Sequence, residues 1–167
     1  MSTDLRRRRQ APPTSNLGST FAGRHPLIRL LDVGLGAFED ELTKRVADTP
    51  YSDIRITHGC VFGNIDPEGT RLTELAERAF MTKQSVGEVV SDLEQRGYAE
   101  RVPDPSDGRA KIIRLTERGQ AARALGMQLI DELEQEWGER FGADRVAALR
   151  DALEAITAER LGAVPVA

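Results

Sequence analysis

The chain has one cysteine, Cys60, which therefore cannot close an internal disulfide. Aromatic side chains make up only 5% of the residues, so any core must rest on Leu, Val, Ile and Ala. No apolar run approaches the roughly 18 residues of a membrane span. The N-terminal arginines are not followed by an apolar secretory core, and residence in the cytoplasm is the expectation. His25 and His58 are the only histidines, and neither has a partner at metal-ligand spacing. A Ser/His/Asp arrangement, a phosphate-cradling glycine loop and a metal-binding cluster are all missing. Neither an enzyme nor a cofactor or metal site is expected.

What is present suits a globular protein of 167 residues, one domain or a small domain with helical extensions. The net charge of -4 is unevenly spread. Residues 1–24 hold five Arg against one Asp, residues 25–69 carry an excess of four acids, residues 70–115 balance at eight against eight, and the remainder is acidic again. Because attraction between charges fades over about 8 Å at physiological salt, overall acidity does not preclude a nucleic-acid partner for the neutral segment.

Residues 1–25 combine Arg6–Arg9 with Pro and Gly and show no apolar period, which predicts a disordered Arg-rich arm. It is read either as a solvated tail or as a basic arm that follows phosphates. Within 26–50, Leu27, Leu30, Leu31, Leu35, Phe38, Leu42 and Val46 recur at helical spacing. A second helix is expected from about Ile54 to Ile65, closed by the Asp66-Pro67-Glu68-Gly69 turn. Thr73 is expected to cap a helix over Glu74–Phe80, and Thr82 another over Lys83–Arg96 ended by Gly97. In the latter, Val86, Val89, Val90 and Leu93 must face inward. Tyr98–Val102 and Lys111–Leu115 read as strands joined by a long polar loop, to which Thr70–Leu72 adds a short third strand. Thr116 caps a long helix to about Trp137, broken at Gly138 and Gly142, and a last helix runs from Asp144 to Leu161. The fold class is thus mainly α with a small β-wing.

Two short helices, a tight turn and a charged hairpin form a winged helix-turn-helix over 51–119. Burying the valine face of the second helix turns Thr82, Lys83, Gln84, Ser85, Gly87 and Glu88 outward at its start, where a recognition helix meets base edges. Gln84 suits adenine, Ser85 a base edge or phosphate, Lys83 a phosphate, and Glu88 the N4 amino group of cytosine. Arg109 on the loop suits a narrow minor groove, with Asp107 bracing its guanidinium and Arg101 and Lys111 as phosphate contacts. Double-stranded DNA is the expected partner.

The stretches Leu72-Thr73-Glu74-Leu75-Ala76-Glu77, Leu93-Glu94-Gln95-Arg96-Gly97-Tyr98, Asp104-Pro105-Ser106-Asp107-Gly108-Arg109 and Leu115-Thr116-Glu117-Arg118-Gly119 resemble the MarR family of bacterial winged-helix regulators. The likeness extends over about residues 26–160. It implies N- and C-terminal dimerisation helices (26–50 and 120–162, before a tail at 163–167), a homodimer on a near-palindromic operator, Arg109 as the wing arginine, and relief by a small ligand or oxidant. Gly87 and Glu88 stand where the family often has a Thr-Arg pair, so its base-reading code does not transfer; Gly108 and Ala110 make a slimmer wing.

The dimer also has a physical argument, since the apolar stripes of the outer helices exceed what a head of some 50 residues can cover. Candidate dimer contacts are Leu27, Leu30, Leu31, Leu149, Leu153 and Ile156, and candidate effector contacts are Phe38, His58, Phe62 and Trp137. Cys60, between apolar neighbours, reads as a small core residue. The reading is a DNA-binding transcriptional regulator, a repressor in most such families. The alternative is a winged-helix module that docks on protein or binds DNA without sequence preference.

Overall fold

A computed structural model of the chain describes residues 25–161. The Arg6–Arg9 run and the tail expected at 163–167 lie outside the described residues. Helix α1 spans Leu27–Ala47, beginning after Pro26, whose ring presets a φ of -57° for helix entry. Lys44 and Arg45 sit in its last turn, where the carbonyl end of the helix dipole favours cations.

The second helix is much shorter than its apolar spacing suggests. Ile56–His58 form a 3-10 turn, and only Gly59–Phe62 (α2) is α-helical. Local caps explain this: the His58 ring Nδ1 accepts the Arg55 backbone N–H at 3.1 Å and so starts the turn at Ile56, and Gly63 ends it by donating to the Gly59 carbonyl. The Asp66–Gly69 turn forms as expected, with Gly69 at a φ of 103° and its N–H on the Asp66 carbonyl.

Strand β1 (Thr70–Arg71) passes directly into α3 (Leu72–Arg78). The start of α3 corrects the expectation of a Thr73 cap. Arg71, held extended by strand pairing, is the cap residue and offers no side-chain bond, while Thr73 already lies inside the helix. Phe80 turns the chain at a φ of 52°. Helix α4 spans Lys83–Gln95, and Thr82 caps it through its hydroxyl oxygen, which accepts the Ser85 N–H at 3.1 Å. Its far end closes with Gly97 at a φ of 76°: the Gly97 N–H donates to the Glu94 carbonyl and the Tyr98 N–H to the Leu93 carbonyl.

Strands β2 (Ala99–Asp104) and β3 (Asp107–Leu115) pair antiparallel, and β1 joins on the far side of β3, giving the order β1-β3-β2. The register sets Ala99 opposite Leu115 and Thr70 opposite Ile113. The expected eight-residue loop is in fact mostly strand, with a tip of only Pro105 and Ser106. A register shift between Pro103 and Asp104 lets the ladder continue past a proline that reads as a breaker.

Helix α5 (Glu117–Phe141) is capped by Thr116, whose hydroxyl oxygen accepts the Gly119 N–H while its proton goes to the Gly97 carbonyl. Gly138 does not break this helix; Gly142, at a φ of 102°, does, and α6 (Ala143–Leu161) follows. Gly119 has a strict reason to be glycine: a Cβ there would lie 2.0 Å from the Tyr98 carbonyl oxygen. The first turn of α5 is thereby pressed onto the end of α4. Around this joint lies the core of Val61, Leu75, Val86, Val90, Leu93, Tyr98 and Ile113, all essentially inaccessible, with Val89 packed at its edge. None of the helices in the described residues is long and apolar enough to cross a membrane.

Candidate nucleic-acid interface

Three of the four inward positions of α4 (Val86, Val90 and Leu93) are completely buried, which fixes the rotation of the helix. Thr82, Lys83, Gln84 and Glu88 are consequently exposed, and Ser85 half-exposed. Thr82 and Ser85 share a hydroxyl contact of 2.8 Å as part of the cap. The Gln84 amide donates to the Glu88 carboxylate at 3.4 Å, so the two share one face one turn apart. Gly87 is not outward but half-buried, where an added Cβ would meet Leu72 at 3.7 Å.

Arg109 is exposed on β3 beside the wing tip. Asp107 accepts its backbone N–H at 3.1 Å and so shapes the turn, but it does not brace the guanidinium as the sequence suggested. A carboxylate outside the expected contacts does more here. Asp104, buried, accepts the Ser106 N–H and hydroxyl at 2.8 and 2.6 Å on one oxygen, and Arg71 Nε at 2.7 Å on the other. The Ser106 bonds, then Arg71, hold its carboxyl at about 2, well below the ordinary carboxylate value. Only the Asp-x-Ser turn chemistry hinted at it; nothing local points to a partner 33 residues away.

The electrostatics of the head follow from who is paired with whom. Arg71 pairs with Asp104, Arg78 with Asp66, Arg96 with Asp92 and Asp53, Arg101 with Glu94, and Arg114 with Glu100. Among the described residues, the cations of 70–115 left without a carboxylate partner are Lys83, Arg109 and Lys111, at the start of α4 and along the wing. A segment neutral in sum therefore gathers its three unpaired cations at one end, where Glu88 is an exposed carboxylate among them. Arg101, expected on phosphate, is engaged with α4 instead: 3.4 Å from Glu94 and 3.5 Å from the Ser91 hydroxyl.

A polar network ties α4 to its surroundings. His58 is buried, its Nδ1 accepting from Arg55 and its Nε2 2.9 Å from Asp92 on α4. Since Nδ1 accepts, Nε2 carries the proton and donates to Asp92. Burial pushes the His58 pKa down, and Asp92 opposes this only in part. The Tyr98 hydroxyl donates to Asp53 at 2.5 Å and accepts from Arg118 at 2.9 Å, and its bond holds the Asp53 carboxyl low. Burial raises the Cys60 thiol, which sits against the core and is disfavoured as a thiolate.

Between α1, α2 and α5 lies an apolar cavity of about 180 Å³, lined in part by Leu42, Val46, Tyr51, Phe62, Leu125 and Ile130, with Arg55 and Arg123 also on its wall. Of the candidate effector contacts only Phe62 lines it. His58 is committed to Asp92, and Phe38 and Trp137 stack edge-to-face at 5.2 Å elsewhere along the α1–α5 contact. The candidate dimer residues Leu27, Leu30, Leu31, Leu149, Leu153 and Ile156 are all solvent-exposed, Leu27 at 67% and Ile156 at 60%.

Residues 52–110 match the MarR family. Transcriptional regulator HosA of Escherichia coli O111:H- is 29% identical over 79 residues, 47% of this chain and 58% of HosA, so the chain matches little more than half of that relative. Reduced MarR from Escherichia coli shares the fold at a TM-score of 0.68 and 25% identity, over 81% of this chain and 98% of that one. CouR from Rhodococcus jostii RHA1, solved with p-coumaroyl-CoA, aligns at 0.63 and 26%, over 76% and 88% of the two chains. The repressor CouR on a 23-mer DNA duplex aligns at 0.64 and 26%, over 79% and 92%. By sequence match over 52–110 and by fold, the chain is a winged helix-turn-helix protein similar to MarR-family regulators.

Proposed function

We propose that the protein is a sequence-specific transcriptional repressor that binds a near-palindromic operator as a homodimer. The observation that carries this reading is the placement of the unpaired cations: Lys83 at the start of α4 and Arg109 and Lys111 on the wing, with every other cation of the head neutralised internally. Helix α4 enters the major groove by its N-terminal turn, where free N–H groups also favour phosphate. Gln84 and Glu88 read base edges, and Arg109 reaches the adjacent minor groove. The likeness to a repressor solved on a DNA duplex supports the same assignment.

Pairing the exposed stripes of α1 and α6 with those of a twin removes their apolar surface from water and sets two copies of α4 about one DNA turn, ~34 Å, apart. The cavity between α1, α2 and α5 takes a small apolar effector; that CouR was solved with p-coumaroyl-CoA supports ligand control in general, though that ligand is larger and more charged. Such a ligand releases the operator only as far as it prefers a spacing of the two α4 helices that DNA does not accept. Selection of bound duplexes from a random pool tests the whole reading. An inverted repeat with half-site centres one turn apart is expected; equal affinity for unrelated duplexes with a steep salt slope would leave a non-specific module, for which the neutral sum of the head and Glu88 speak.

A further inference from the structure

We propose that Asp104 is the positioning residue of the wing, gripping Arg71 so that Arg109 is held at a fixed place relative to α4. This rests on the DNA-binding reading above and concerns only how its wing arginine is aimed.

The two oxygens of Asp104 face two different parts of the fold. One oxygen closes the wing tip by accepting both the N–H and the hydroxyl of Ser106. The other accepts from Arg71 through Nε at 2.7 Å and through a terminal nitrogen at 2.6 Å. Arg71 is the cap position of α3, the helix that packs against α4, so this contact ties the far end of the hairpin to the start of the helix pair. The same guanidinium lies 3.8 Å from Asp107, whose other oxygen accepts the Arg109 backbone N–H. Both sides of the tip turn are thus held by one arginine, and the held segment ends at the backbone of Arg109.

The ladder alone does not secure this geometry. β1 pairs with β3 only at Thr70 and Arg71, opposite Ile113 and Ile112, so the last residues before the tip lack a third strand. The register also shifts at Pro103, where a hairpin is free to twist. Asp104 is buried, and its oxygens are occupied by Ser106 and Arg71, so it is not a DNA contact itself. A buried ion pair is a weak source of stability compared with apolar packing, and fixing a conformation is its better-attested use. A cation fixed before binding avoids the ordering cost that a loose loop bears on entering a groove.

A double-mutant cycle on the full chain tests this, using the duplex enriched by the wild type and titrating across salt. Asp104→Asn keeps the shape but loses the ionic grip. It should weaken binding about tenfold and lower the salt slope by about one unit, as Arg109→Ala does. In the Arg109→Ala background it should cost less than about twofold, because the group it aims is gone. Arg71→Lys, which keeps charge but not the paired guanidinium edge, should reproduce the pattern and serves if Asp104→Asn does not fold. An equal cost in both backgrounds, or an unchanged salt slope, overturns the positioning role while leaving DNA binding intact. A wild type that enriches no duplex overturns both.

Discussion

Within residues 70–115 five of eight cations are held by carboxylates, and the valine face of α4 is sealed in the core. Helices α1 and α6 do the reverse, turning Leu27, Leu30, Leu153 and Ile156 toward solvent while their charges pair sideways, Arg29 with Asp32 and Arg150 with Glu134. The head is satisfied within one chain; the outer helices are not. What separates them is where each needs its partner: the head leaves three charges for a polyanion, the helices leave an apolar stripe for another apolar surface.

The contrast breaks most completely at the joint between α4 and α5. Gly119→Ala places a methyl 2.0 Å from a backbone oxygen, and thermal unfolding should show a loss of more than about 4 kcal/mol. A loss under about 1 kcal/mol would mean the joint is not tight. Next, if the proposed dimer pairs through α6, Leu153→Asp with Ile156→Asp should convert it to monomers in sedimentation, since two charges would sit in a dry interface; an unchanged mass would remove α6 from that contact. Arg109→Ala should weaken binding to all duplexes and flatten the salt slope by about one unit. An unaltered slope would take the wing off the DNA. Gln84→Ala should instead relax base preference at one position per half-site, by about 1–3 kcal/mol, and an identical enriched motif would rule it out as a reader.

The smallest effect concerns His58. Its folded pKa lies below the ordinary value of about 6.5, so the unfolded chain binds a proton in a pH range where the folded chain does not. Stability from this group is present above pH 6.5 and is lost as pH falls below it. Melting temperatures between pH 7 and 5 should decline in the wild type, and His58→Gln should lose part of that slope. Equal slopes would show that other groups set it.

The parts of this arrangement that rest on neighbours in sequence were legible beforehand. Thr82 and Thr116 announce their helices because a cap needs only the next three residues. Gly97 announces the end of α4 because its positive φ is a local demand. The valines announce the buried face because the helical period is short-ranged. By contrast, the polar run 103–110 reads as a loop along the chain, and the pairing and register shift that make it mostly strand depend on the opposite strand. The Arg71–Asp104 grip, the Tyr98–Asp53 bond and the His58–Asp92 bond join residues 33, 45 and 34 positions apart, and no window along the chain contains both ends. The span from Ile54 to Ile65 carries a helical period without being one helix, because the His58 ring caps the turn at Arg55 and Gly63 closes it after Phe62.

Trp137 is the single tryptophan of the chain. Phe38 lies edge-on at 5.2 Å on one side and Phe141 at 5.6 Å on another, and its indole N–H donates to Glu41 on α1 at 3.2 Å. Its fluorescence is therefore a built-in gauge of the α1–α5 contact, located on the scaffold and not on the reading head. A shift in emission on adding an effector, but none on mixing with a duplex, would separate events in the scaffold from events at the DNA without attaching any label.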